Sequence, residues 1–149
     1  MTRLILALAL PFLLLTAGTA SGQQVDPERA QFGICSGSGR VTCVVDGDTI
    51  WYRGDKIRLA DINTPEISRP ACAEEARLGA EARDRLADLL NAGAFSLETE
   101  GRAVDRYGRL LRIVTRNGTS LGDTLVAEGL AEQWQGRRSG WCNNEAMGG

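Results

Sequence analysis

Three short strand-like runs follow one another between Arg40 and Ile62, with room between them only for tight turns. Arg40 to Val45 is the first. Thr49 to Tyr52, rich in β-branched and aromatic residues, is the second, and Lys56 to Ile62 is the third. Asp46-Gly-Asp48 and Gly54-Asp55 read as the turns between them. Connections this short join antiparallel neighbours, because a parallel pair needs a long crossover. The chain is therefore committed to a β-meander, which ends abruptly. Asn63-Thr-Pro65 stops regular pairing, since proline fixes φ and has no N–H to donate. Ile57, Leu59 and Ile62 are apolar enough for a core, whereas Arg58, Asp61, Asn63 and Glu66 set a guanidinium, two carboxylates and an amide around the break. A rigid strand running into a polar loop is the arrangement that holds chemistry in place.

After residues 63–70 the hydrophobic period changes. From about Cys72 to Asn91, Ala76, Leu78, Ala80, Leu86, Leu89 and Leu90 fall broadly on one side of a helix, and Asn91-Ala-Gly93 supplies a stop. Ala94 to Glu100 and Arg109 to Arg116 read as a fourth and a fifth strand, separated by the turn Asp105-Arg-Tyr-Gly108. Ser120 to Leu130 is a second helix, with Leu121, Leu125, Val126 and Leu130 as its apolar face. Beyond Gln135 the chain is rich in Gly and Arg and has no period. Five strands with a helix inserted after the third predict an α+β fold, a small closed β-barrel that is OB-fold-like in strand count and helix position, with helices packed against it.

Residues 1–20 read as an export signal. Arg3 precedes the apolar run Leu4 to Leu15, and small residues from Thr16 to Ala20 suit a signal peptidase. The run is short for a membrane span, although an uncleaved anchor is the alternative. Residues 21–39 form a polar lead-in ending in a flexible Ser36-Gly-Ser-Gly39 joint, 40–142 a single domain and 143–149 a short tail. The expected product is exported, periplasmic or secreted, free of the membrane after cleavage, and monomeric.

Loss of Arg3 with the signal takes the net charge from −2 to −3, which by itself argues against nucleic acid. The distribution argues the other way. Five arginines and one acid, Asp105, lie between Arg102 and Arg116, and every basic residue except Lys56 is the phosphate-favouring arginine. Four cysteines suit an oxidising compartment and allow three pairings. The favoured one joins Cys35 to Cys43 across a short loop and Cys72 to Cys142 between the middle and the tail. A Cys₄ zinc site lacks any C-x₂-C spacing. With no histidine, Ser-His-Asp and Cys-His chemistry is excluded, which leaves carboxylates, arginine and a hard metal ion.

Each motif alone has an ordinary reading. Asp46-Gly-Asp48-Thr49 is a common hairpin turn, and an EF-hand fails because its twelfth position would be Ile57. Arg53-Gly-Asp55 and the sequon Asn117-Gly-Thr119 are equally well explained as turns. Thr64-Pro-Glu66 could open the helical region, and Asp105-Arg-Tyr-Gly-Arg109 could be a turn flanked by solvated charge. Trp134 and Trp141 read as core in preference to a platform for stacking bases. The combination is more specific. Phosphodiester hydrolysis needs an oriented water and neutralised charge on phosphorus, and a carboxylate base, an oxygen-bound cation and paired arginines supply both.

Asp46-Gly-Asp-Thr49, Arg58 to Glu66 and Asp105-Arg-Tyr-Gly-Arg109, in that order and with those internal spacings, resemble the staphylococcal nuclease (thermonuclease) family. The likeness runs from about Arg40 to Leu130, where Glu128-Gly-Leu-Ala131 also resembles the end of that family's second helix. It implies an OB-fold nuclease that uses Ca²⁺ to cleave DNA and RNA, leaving 3′-phosphates. By motif, Asp48 matches the metal-binding aspartate and Thr64 the residue lending a backbone carbonyl. Glu66 matches the glutamate acting on the attacking water, Arg58 and Arg109 the arginines on the scissile phosphate, and Arg106 and Tyr107 the contacts to nucleotide phosphate.

Two departures stand out. Asn63 replaces the family's second metal aspartate, removing one negative charge and predicting weaker Ca²⁺ binding, with Asp61 two residues earlier as a candidate substitute. The family's third helix has no counterpart, so a Cys72–Cys142 bond beside the active-site loop would act as a clamp in its place. The rival reading is a non-catalytic OB-fold module that binds nucleic acid or protein after losing metal function. Retention of Arg58, Glu66 and Arg109 together argues against it.

Overall fold

A computed structural model describes residues 25–142; the expected signal segment and residues 143–149 lie outside them. Along the chain come β1 (Gly33–Ile34), β2 (Cys43–Asp46), β3 (Thr49–Tyr52), β4 (Asp55–Leu59), β5 (Ile62–Asn63) and α1 (Ala73–Asn91). They are followed by β6 (Ser96–Glu98), β7 (Leu110–Arg116), β8 (Thr119–Ser120), α2 (Leu121–Ala127) and β9 (Glu132–Gln133). The fold is α+β: a mixed sheet of order β1-β2-β3-β4-β7-β6, with β8 paired to β7, is covered by two helices. The meander forms as β2-β3-β4. Its second turn is Arg53-Gly54, one residue earlier than expected, with φ of 52° and 89° between the paired Tyr52 and Asp55. Positive φ at both central residues matches the twist of the flanking strands.

The third strand ends sooner than the sequence pattern suggests. β4 stops at Leu59, the chain bends at Ala60–Asp61, and Ile62–Asn63 pairs separately with β9, Asn63 opposite Glu132. β9, which no periodicity announced, brings the chain after α2 back beside the break.

A strand pairing between β2 and β6 that would close the barrel is not formed among the described residues. The gap is bridged by the lead-in instead. β1 pairs in parallel with β2, Glu28 exchanges backbone hydrogen bonds with Phe95, and Asn91 clasps both backbone groups of Phe32 at 2.7 and 2.9 Å. Phe32 is buried within a trio of rings with Tyr52 and Phe95, centroids 5.6–5.9 Å apart. The remaining core is aliphatic, with Val44, Ile50, Leu59, Leu86, Leu90 and Leu125 all inaccessible. Burial of each such side chain stabilises by about 1.5–3 kcal/mol. The cysteines are bonded as Cys35–Cys43 and Cys72–Cys142.

Two glycines let the site's segments approach one another. A Cβ on Gly47, in the β2–β3 turn, would lie 2.7 Å from the Ala82 Cβ and 2.8 Å from the Thr64 methyl. One on Gly79 of α1 would lie 2.9 Å from the Pro65 carbonyl oxygen. The turn and the 64–71 loop therefore pack directly on α1. Leu78 and Ala80 are only half-buried, and the face of α1 under the loop consists of Glu75 and Gly79.

Candidate active site

Arg58 is the buried charge about which the site is built. It leaves β4 just before the break, with 8% of its side chain exposed. Its Nη2 donates to Asp48 Oδ2 at 3.2 Å and to the Ile62 carbonyl at 3.1 Å, and its Nη1 donates to the Leu59 carbonyl. These two carbonyls flank the break in the strand, and the guanidinium occupies both. Trp134 stacks on the same guanidinium with the carbon 5.0 Å from the ring centroid. Its indole is thus a wall of the site and not part of the core, because β9 and the hydrogen bond from Trp134 N to the Asp61 carbonyl (2.7 Å) hold it over the break.

Asp48 is buried, and its Oδ1 accepts from Thr49 Oγ1 at 2.9 Å. Asp46 accepts the Asp48 N–H, and burial, then the neighbouring Asp48 charge, push its carboxyl up to about 7. The turn thus carries two acidic groups, and Arg58, which pairs with Asp48, has three of its five donors engaged. Asn63 is buried, and with Nδ2 donating to Glu132 Oε1 at 2.9 Å its Oδ1 is the atom it has for a cation. Thr64 is buried beside it. Among the described residues no three His, Cys, Asp or Glu converge as a metal cluster. A cation here would draw on the Asp46 and Asp48 carboxylates, the Asn63 amide and the Thr64 carbonyl. That all-oxygen, low-charge set fits Ca²⁺ and suits weak binding.

Asp61 is engaged elsewhere. Its Oδ2 accepts from Ser120 Oγ at 2.5 Å, at the N-cap of α2, and burial raises its carboxyl above the ordinary value. The bend at Ala60–Asp61 breaks the i, i+2 relation, so Asp61 and Asn63 face different partners.

Glu66 sits in the 64–71 loop, and this loop is wrapped around a buried carboxylate. Glu75 of α1 accepts the Glu66 N–H at 3.3 Å through Oε1 and the Ala71 N–H at 2.6 Å through Oε2. The Glu66 carboxylate pairs with Arg138 from the tail. Arg109 lies across the site in the turn before β7. Asp105 holds that turn by accepting from Arg109 Nε at 2.7 Å and from the Tyr107 and Arg109 N–H groups at 2.8 and 3.0 Å. Burial pushes the Asp105 carboxyl up, but these hydrogen bonds outweigh it and hold it below the ordinary value. Arg106 stacks on Tyr107 at 4.8 Å and bonds its hydroxyl at 2.6 Å.

Together these residues enclose an open cavity of about 670 Å³, lined by Arg58, Arg102, Arg106, Arg109 and Arg138 with Tyr107 and Trp134, and by one acid, Asp105. Its charge and rings suit a polyanion that carries flat bases. Arg58, Arg106, Tyr107 and Arg109 meet at this cavity, Glu66 joins it through Arg138, and Asp48 joins it through Arg58. Sequence reasoning missed five contributors. Asp46 and Trp134 were in view as motif and aromatic, but Glu75, Glu132 and Arg138 look like surface charge until the fold places them.

The family model of staphylococcal nuclease homologues matches residues 56–146, a span that includes Arg58 to Glu66 and Asp105 to Arg109 but begins after Asp48. The chain is 43% identical over 93 residues to the SPbeta prophage-derived endonuclease YokF of Bacillus subtilis, covering 58% of this chain and 31% of the relative. It is 41% identical over 93 residues to the endonuclease YncB of the same organism, covering 58% and 43%. To the thermonuclease of Staphylococcus hyicus it is 33% identical over 96 residues, covering 62% and 56%. The match thus spans from under a third to just over half of these relatives' length.

Proposed function

Because the chain belongs to the family of staphylococcal nuclease homologues, we propose that it is an exported, Ca²⁺-dependent endonuclease that hydrolyses phosphodiester bonds of DNA or RNA with little regard to sequence. The observation that carries this reading is the buried Arg58–Asp48 pair opening on a cavity lined by five arginines, one of which holds Glu66. Two disulfides support export to an oxidising compartment. Among the described residues no helix is long and apolar enough to cross a membrane. The names of the relatives, two endonucleases and a thermonuclease, support the reaction class.

In this reading Arg58 and Arg109, which both line the cavity, bind the oxygens of the scissile phosphate. Arg58 is held by three acceptors before substrate arrives, so its charge needs no reorganisation as negative charge builds on phosphorus. Glu66 orients a water and takes its proton as the water oxygen attacks phosphorus. The opposing P–O bond breaks, and the departing oxygen is protonated from solvent. Asp48, Asn63 and Thr64, with Asp46 beside them in the turn, would hold Ca²⁺, which when bound would withdraw charge from the phosphate. Arg106 and Tyr107 contact the neighbouring nucleotide, and recognition through phosphate makes the enzyme tolerant of sequence and sensitive to salt.

The test is hydrolysis of single-stranded DNA by the oxidised protein, titrated from chelator to millimolar Ca²⁺, beside Glu66→Gln and Asn63→Asp. Cleavage that requires Ca²⁺, is lost in Glu66→Gln and needs less metal in Asn63→Asp is the expected result. Binding without cleavage at every metal level would make the domain a nucleic-acid-binding module instead.

A further inference from the structure

The segment from Gln135 to Cys142 has no regular structure, yet it is fastened along its length. Gly136 turns it with φ of 80°, a left-handed conformation that glycine adopts freely. Ser139 donates to Glu132 through both its N–H and its hydroxyl. Cys142 is bonded to Cys72, which is also the N-cap of α1. Between these anchors Arg138 reaches Glu66 and lines the same cavity as Arg58 and Arg109. An exposed Arg–Glu pair has little strength of its own, because water screens it and two long side chains must be ordered. Its location therefore follows from the fastenings around it, which place a cavity-lining guanidinium against the carboxylate of Glu66 in the 64–71 loop.

We propose that Arg138 is a further active-site residue, which positions the Glu66 carboxylate and contacts the substrate's backbone phosphate, and that the Cys72–Cys142 bond keeps it there. The proposal rests on the reading of Glu66 as the group acting on the attacking water. A guanidinium has five donors in a planar fork, so it can hold Glu66 Oε1 with one edge and still face a phosphate with another. Lysine could supply the charge but not the fork.

The test compares wild type, Arg138→Gln, Arg138→Lys and the Cys72→Ser/Cys142→Ser pair in two assays: hydrolysis of single-stranded DNA, and salt-dependent binding of a short oligonucleotide in chelator. Serine preserves the N-cap role of residue 72, so the double variant removes the tether alone. Arg138→Gln is expected to melt like wild type, to lose roughly 10- to 100-fold in kcat/KM through a misplaced Glu66, and to flatten the salt slope by about 0.7. Arg138→Lys should restore the salt slope but not kcat. The double-serine variant should reproduce the Arg138→Gln losses, and combining the two should add nothing further. Wild-type kinetics and salt slope in Arg138→Gln, or in a folded double-serine variant, would overturn the proposal. If the wild-type protein cleaves nothing, the nuclease reading falls and the salt slope alone decides whether Arg138 contacts phosphate. If it also binds nothing, both fall.

Discussion

Neither member of the Arg58–Asp48 pair can be removed alone, because their side chains are 8% and 11% exposed. Arg58→Ala would strand a buried carboxylate, and a loss of roughly 3–5 kcal/mol is expected in denaturant unfolding. Arg58→Lys keeps the charge but cannot reach Asp48 and two carbonyls at once. We expect it to fold and to lose about 10²–10³-fold in kcat; wild-type turnover would mean that charge alone suffices. At this scale the sequence was informative about chemical type and silent about partners. Arg58, Glu66 and Arg109 could be named because the motifs that hold them resemble those of the staphylococcal nuclease family. The Asn63–Glu132 bond joins residues 69 apart, and no local pattern encodes it. Trp134 read as core for the same reason: its composition is apolar, but a non-local strand pair decides where its ring lies.

The elements most responsible for the site are the 64–71 loop and the helix beneath it. Gly79→Ala would ordinarily stabilise a helix by up to about 1 kcal/mol. Here the new Cβ would meet the Pro65 carbonyl at 2.9 Å and the Glu66 carbonyl at 3.1 Å. A net loss of about 1–3 kcal/mol, with reduced cleavage, is expected from melting and activity measurements. A more stable and fully active variant would show that the loop yields freely. In the turn before β7 the Asp105 carboxyl is held below its ordinary value. Its contribution is therefore complete above the unfolded value of about 3.9 and is lost as pH falls through the folded one. Asp105→Asn should flatten the acid side of the melting profile, and an unchanged slope below about pH 4 would contradict the assignment. Element type was legible because periods of 2 and 3.6 are local properties. The helix face under the loop was not: Glu75 is buried because the loop's N–H groups need an acceptor, a requirement invisible to hydrophobic patterning.

For the molecule as a whole, the segment before β2 is where sequence and structure differ most in emphasis. A stretch that reads as polar contributes Phe32 to the core and spans the two ends of the sheet. Phe32→Ala is expected to cost about 3–5 kcal/mol, a large share of the stability of a domain this size, and a shift of less than 1 kcal/mol in chemical unfolding would show that the strap is dispensable. Asp26 accepts from Ser96 Oγ and from Asn117 N, each at 2.8 Å, partners 70 and 91 residues ahead of it. A chain leaving the ribosome or a translocation pore emerges N-terminus first, so Asp26 has nowhere to dock until most of the domain has followed it. During that interval the backbone groups of Phe95, beside β6, that Glu28 comes to occupy stay unpaired, a template for pairing with other chains. Among the described residues the strap is thus the first part made and its Asp26 and Glu28 the last placed, and the time between those events is when the domain is most exposed to aggregation.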